Sequence, residues 1–121
     1  LGKLGSEAAI PGLLKALEDQ DSSMRRSAAE ALGKLGSEAA IPSLLKALED
    51  QDSCVRRITA EALGKLGSEA AIPGLLRALE DQDFFVCWSA AEALGKLGSE
   101  AAIPGLLKAL EHQDDYVRRS A

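Results

Sequence analysis

The chain has 121 residues, of which 46% are hydrophobic, 27% charged and 3% aromatic, with a formal net charge of −5 at pH 7. This balance indicates a globular protein with a core of Leu and Ala, and its acidic surface argues against nucleic acid as a partner. No apolar run approaches the roughly 20 residues of a membrane span and no signal-peptide pattern is present. We therefore expect no membrane association and a cytoplasmic location.

The chain is a tandem array with a period of 31 residues. An identical LGKLG begins at Leu1, Leu32, Leu63 and Leu94, and SEAAIP follows it each time. Such repeats bury their apolar faces only against neighbouring repeats. We therefore predict one domain over residues 1–121, with units at approximately 6–36, 37–67, 68–98 and 99–121. The last unit is incomplete, and residues 1–5 are the tail of a preceding one.

Each unit is predicted to hold two helices. In the first unit, Ser6 is a candidate N-cap and apolar residues recur at helical spacing over about 7–18, with Pro11 early in the helix. Asp21 is expected to cap a second helix that ends at Gly36. Its predicted inward residues are Met24, Ala28, Ala31, Leu32 and Leu35.

Gly33 lies inside the predicted second helix, where glycine costs roughly 1 kcal/mol relative to alanine. A close approach of neighbouring helices is the expected compensation. The links between helices are only a few residues long, which makes consecutive helices antiparallel hairpins. Stacked hairpins of this size predict an all-α fold, an α-solenoid of about four 31-residue hairpins.

The repeat VRRSAAEALGKLGSEAAIPGLLKALED resembles the HEAT-like repeats of the phycobilisome-lyase type, and the resemblance covers the whole chain. It implies a right-handed superhelix whose second helices line the concave surface. It does not by itself imply an activity, because similar repeats serve as lyase subunits, scaffolds and artificial binders.

Differences between the copies are concentrated in residues 22–28 and their equivalents, and the third copy, DQDFFVCWSAAEALGKLG, departs most. On a helical wheel Trp88 points away from the apolar side, next to Phe84 and Phe85. Exposed aromatic residues on a rigid face are typical anchors of protein interfaces. The predicted partner-binding residues are Phe84, Phe85, Trp88 and Tyr116, with Cys54, Arg57, Glu92 and Arg119 around them. Filling of a gap between repeats is the alternative interpretation.

The sequence offers no evident catalytic or metal-binding group. His112 is the single histidine, and neither Cys54 nor Cys87 has an evident base partner in the sequence. We expect no enzyme activity, no metal and no cofactor.

The first functional hypothesis is a protein-binding scaffold that uses its concave face. The alternatives are a structural spacer or a fragment of a longer array, natural or idealised, and a chromophore-lyase accessory that holds a bilin. Two structural expectations accompany them. Ile58 and Cys87 should touch across a repeat boundary, in a series that also pairs Ser27 with Arg56. The apolar end faces should also stack head to tail between molecules.

Overall fold

The computed structural model describes the backbone of residues 2–98, their side chains from residue 9 onward, and the isolated positions Glu100, Ile103, Pro104, Leu107 and Glu111. Six α-helices follow one another in the described part, and the fold is the expected all-α solenoid. The first helices of the hairpins are α1 (Gly2–Ala16), α3 (Ile41–Ala47) and α5 (Ile72–Ala78). The second helices are α2 (Ser22–Leu35), α4 (Ser53–Leu66) and α6 (Phe84–Leu97). The division into four repeat units stays a prediction.

Each second helix begins and ends at the residues that the sequence indicated. Asp21, Asp52 and Asp83 accept hydrogen bonds from backbone N–H groups of the first helical turn. The bond from the Val55 N–H is the main reason why the pKa of Asp52 is lowered. At the other end, Gly36, Gly67 and Gly98 adopt positive φ of 64–69°, which side-chain-free glycine tolerates at little cost.

The first helices are shorter than predicted in the second and third hairpins. Ser37 caps a 3₁₀ turn at Glu38–Ala40, and α3 starts only at Ile41, with Pro42 in its first turn. The third hairpin repeats this arrangement from Ser68. The prediction of Ser6 as an N-cap was wrong, because Gly5 is helical and Ser6 lies inside α1.

The core is a column of aliphatic side chains between the two layers of helices. Its largest fully buried members are Leu32, Leu44, Leu63, Leu75, Leu94, Val55 and Val86. Met24, at the position of Val55 and Val86, was expected to face inward but is 47% exposed. This prediction was wrong because α2 packs on α1 and α4, and within the described residues no other helix packs extensively on α2.

The closest helix packing is between successive second helices. A Cβ atom added at Gly33 would lie 2.9 Å from the Ala62 Cα, and one at Gly64 would lie 3.0 Å from the Ala93 Cα. The predicted close approach is therefore confirmed at these two glycines. The second helices pack against one another far more extensively than the first helices do. The second helices therefore form one closely packed layer.

The glycines of this column provide a matched test of the close approach. We expect Gly64→Ala to destabilise the protein by about 1–3 kcal/mol, because the new methyl group meets the backbone of α6. Gly95→Ala should instead stabilise it by up to about 1 kcal/mol, since the added Cβ meets no atom of the described residues within 4 Å. Urea unfolding of both variants measures the difference, and equal effects would contradict the packing argument.

Partly buried ion pairs join neighbouring hairpins on the side of the links. The guanidinium of Arg25 donates from Nε and Nη2 to the two carboxylate oxygens of Asp50, at 2.7 and 3.0 Å, and the hydrogen bond raises the pKa of Arg25. Arg56 makes the same two bonds to Asp81, at 2.7 and 3.1 Å. Each arginine also donates to backbone carbonyls of its own link. These pairs form a ladder that runs from one hairpin to the next.

The hydrogen bonds of Arg56 go to Asp81 and to the Asp50 carbonyl, and the predicted contact of Ser27 with Arg56 stays a prediction. One repeat of 31 residues after Arg56, the chain has Cys87, and one repeat after Asp81 it has His112. Both partners of the third pair have therefore changed together. His112 lies outside the described residues.

Restoring both members of this pair should add a third ion pair. We expect Cys87→Arg alone to be destabilising, since it buries a guanidinium without the carboxylate that Arg25 and Arg56 have. Combined with His112→Asp it should recover stability, with a favourable interaction energy of roughly 0.5–3 kcal/mol in a double-mutant cycle. Thermal unfolding of the four proteins measures this energy. Strictly additive effects would show that the two positions do not interact.

Candidate functional site

The outward sides of the three second helices form one continuous surface, which we call the second-helix face. Its residues are exposed or half-exposed and recur every three or four positions, so they share one side of each helix. They are Ser23, Arg26, Glu30 and Lys34 on α2, Cys54, Arg57, Glu61 and Lys65 on α4, and Phe85, Trp88, Glu92 and Lys96 on α6. The Glu and Lys positions are constant. The first position is Ser, Cys or Phe, and the second is Arg on α2 and α4 but Trp on α6.

Aromatic side chains take over the first turn of α6. Phe85 is 62% exposed and Trp88 is 47% exposed, so both face away from the core as predicted. Phe84, which is half-buried, stacks on Trp88 with 6.3 Å between ring centroids and packs edge-on against Phe85 at 5.7 Å. We call these three residues the aromatic cluster. Mutual contact holds the exposed rings in place.

The carboxylates of the second-helix face differ in their partners. On α4, Arg57 Nη1 lies 3.4 Å from Glu61 Oε1, and on α2 the Lys34 ammonium lies 3.8 Å from Glu30 Oε1. Trp88 occupies the position of Arg57 on α6. Within the described part of the chain, no cation lies within ion-pair distance of Glu92. Compared with α4, α6 has an aromatic ring in place of the arginine that lies beside the glutamate.

The remaining predicted site residues are only partly brought together. Cys54 is exposed on α4, one repeat before Phe85, and Arg57 is half-exposed. Tyr116 and Arg119 lie outside the described residues, so their place in a binding surface stays a prediction. Sequence analysis missed the stacking of Phe84 on Trp88, although the i to i+4 spacing of the two residues was a signal for it.

The two thiols have different surroundings. Cys87 is buried and its Sγ lies 3.1 Å from the Leu79 carbonyl oxygen and 3.0 Å from that of Asp81. Burial, reinforced by the charge of Asp81, raises the pKa of Cys87 to about 11. Ile58 is also buried, and its predicted contact with Cys87 stays a prediction. Cys87 therefore acts as a small core residue at neutral pH, and Cys54 is the accessible thiol.

The described residues contain no group of His, Cys, Asp and Glu that could hold a metal ion, and none of their helices is both long and apolar enough to cross a membrane. A groove of about 1230 Å³ lies among residues of the first helices and the links, with Arg25 of α2 at its wall. A smaller depression of about 270 Å³ lies on the second-helix face between α4 and α6.

A family model described as HEAT repeats matches residues 1–62 and 41–121. The chain belongs to the HEAT repeat family. No curated protein sequence matches it significantly. The resemblance to repeats of the phycobilisome-lyase type is confirmed by a solved structure, the complex of CpcE and CpcF of phycocyanin lyase from a Nostoc species. The similarity is 40% identity over 81% of this chain, with a TM-score of 0.76.

Human deoxyhypusine hydroxylase in complex with glycerol is also similar, with 30% identity over 74% of this HEAT repeat chain and a TM-score of 0.70. The chain covers 40% of the length of the first structure and 32% of the second. These proteins share the repeat fold but have different names and activities, so the fold alone assigns no activity to this chain.

The difference between the two thiols gives a direct prediction. Ellman's reagent at pH 8 should modify Cys54 rapidly and Cys87 only on the timescale of unfolding, because Cys87 is buried and its raised pKa leaves little thiolate. The Cys54→Ser variant should lose the fast phase and keep the slow one. Two equally fast phases in the native protein would contradict this arrangement.

Proposed function

We propose that this HEAT repeat array is a non-catalytic scaffold that binds a protein partner through its second-helix face, with the aromatic cluster as the anchor. The observation that carries the proposal is the exposure of Phe85 and Trp88 on an otherwise charged face. Large aromatic side chains dominate the energetics of protein interfaces, above all at positions where the rings are held rigid before binding.

Three further observations support this proposal. Successive second helices pack side by side, so a partner can contact several repeats at once. The aromatic cluster interrupts a repeated polar pattern, so the core does not require it. The similar CpcE and CpcF proteins were solved as a complex with each other, which is an example of HEAT repeat chains in a protein assembly.

A second candidate, a chromophore-lyase accessory that holds a bilin, is favoured only by the 40% identity to the phycocyanin lyase complex. It predicts a shift of bilin absorbance on mixing with the chain. The spacer hypothesis predicts neither bilin binding nor any partner that depends on the aromatic cluster.

Affinity capture with matched variants tests the scaffold proposal. Replacing Trp88 by Ala should weaken the captured complex by at least about thirtyfold, the usual effect of losing an interface hot spot. Met24→Ala is the control, because Met24 has the same 47% exposure as Trp88 and lies off the second-helix face. If the recovered partners are unchanged after Phe85, Trp88 and Tyr116 are all replaced by Ala, the spacer hypothesis takes the place of the scaffold.

A further inference from the structure

The strongest unassigned feature of the second-helix face is the carboxylate of Glu92, which has no ion-pair partner among the described residues. The side chain is exposed and one helical turn beyond Trp88. Glu30 and Glu61 hold the same position on α2 and α4, and both lie within ion-pair distance of a Lys or Arg of their own helix. Within the described residues, Glu92 is the member of this row without such a cation.

The preceding helix shows what a cation does at this position. On α4, the guanidinium of Arg57 reaches the Glu61 carboxylate from one turn away, at 3.4 Å. On α6 the arginine is replaced by Trp88, whose indole occupies the same side of the helix. The guanidinium of a bound partner could lie beside Glu92 as the Arg57 guanidinium lies beside Glu61. It would then also lie next to the Trp88 indole.

The surface between α4 and α6 leaves room for such a side chain. The depression of about 270 Å³ is lined by Glu61, Gly64, Lys65, Ser89, Glu92, Ala93 and Lys96. Glu61 and Glu92 hold equivalent positions on the two helices, and Lys65 and Lys96 follow them one helical turn later. Trp88 lies one helical turn before Glu92. Glu92 therefore has an aromatic residue one helical turn before it and Lys96 one turn after it.

The indole of Trp88 is also prepared for a cation. Phe84 stacks on it at an interplanar angle of 21°, which orients the ring while 47% of the residue stays exposed. Cations bind to tryptophan faces more strongly than to those of other aromatic residues. A carboxylate beside such a face adds a charge-assisted hydrogen bond.

We propose that the aromatic cluster and Glu92 together bind an arginine side chain of the partner, an inference that rests on the proposed scaffold function. The guanidinium stacks on Trp88 and donates to the Glu92 carboxylate, so it supplies a charge partner like the one that Glu61 has in Arg57. The partner segment is basic, in keeping with the net charge of −5 of this chain, which attracts cationic segments over long distances.

Arginine fits this site better than lysine for a geometric reason. Its planar guanidinium stacks on an aromatic ring and donates two parallel hydrogen bonds to one carboxylate, whereas an ammonium is a more strongly hydrated point charge. An acidic segment would instead place its carboxylates against Glu61 and Glu92.

Tryptophan fluorescence tests the proposal directly, because Trp88 is the single tryptophan of the chain. The probes are an acetylated arginine–glycine repeat peptide, the lysine–glycine peptide and the citrulline–glycine peptide, which keeps the shape of arginine without its charge. We expect saturable changes in emission with arginine, weaker binding of lysine and none of citrulline. Glu92→Gln should weaken arginine binding by roughly tenfold, and added salt should weaken it further. Glu69→Gln, the same charge change off the second-helix face, should have no effect.

Equal binding of citrulline, no saturable response to arginine, or an unchanged affinity in Glu92→Gln would overturn the arginine site. The captured partner separates this failure from failure of the scaffold proposal. Loss of the partner with Trp88→Ala but not with Glu92→Gln would keep the scaffold and reject the arginine. Retention of the partner with both substitutions would reject the scaffold as well.

Discussion

The contact between successive second helices is the constraint on which the rest of the structure depends. Gly33 and Gly64 let α4 and α6 approach so closely that a methyl group would meet the backbone of the next helix. Glycine weakens a helix interior by roughly 1 kcal/mol, and the array accepts this cost in return for extensive packing of its inner layer. The first helices contact one another less extensively, although Gly74 of α5 also lies close to the side chain of Leu45 of α3.

Variation between repeats has two different physical meanings. At the positions of Cys54 and Phe85, and of Arg57 and Trp88, the variation changes side chains of the second-helix face and leaves the core unchanged. At the position of Arg25 it changes a partly buried ion pair between hairpins, because Cys87 lies there in the third copy. The thiol keeps one part of the arginine's role, since it reaches the same kind of link carbonyl that Arg56 reaches. A variable block is therefore not equivalent to a binding surface.

The aromatic cluster lies among the charged side chains of the second-helix face. On α2 and α4, Lys34 and Arg57 lie within ion-pair distance of the glutamates that precede or follow them by four residues. Each of these carboxylates therefore has a cation of its own helix beside it. On α6, Trp88 stands at the arginine position with its indole exposed, and no cation of the described residues lies within ion-pair distance of Glu92. Exposed apolar surface and this carboxylate therefore lie next to each other, which is the arrangement on which the proposed arginine site rests.

The sequence by itself determined the repeat period, the all-α solenoid, the Asp caps and Gly ends of the second helices, and the outward direction of Phe85 and Trp88. These features depend on local rules of helix capping and on periodicity within one helix. Only the tertiary structure decided the partners of Arg25 and Arg56, the exposure of Met24, the short α3 and α5, and the lack of a partner for Glu92 within the described residues. Those features depend on contacts between hairpins or on how far a side chain reaches, and a helical wheel gives the direction of a side chain but not the atoms that it meets.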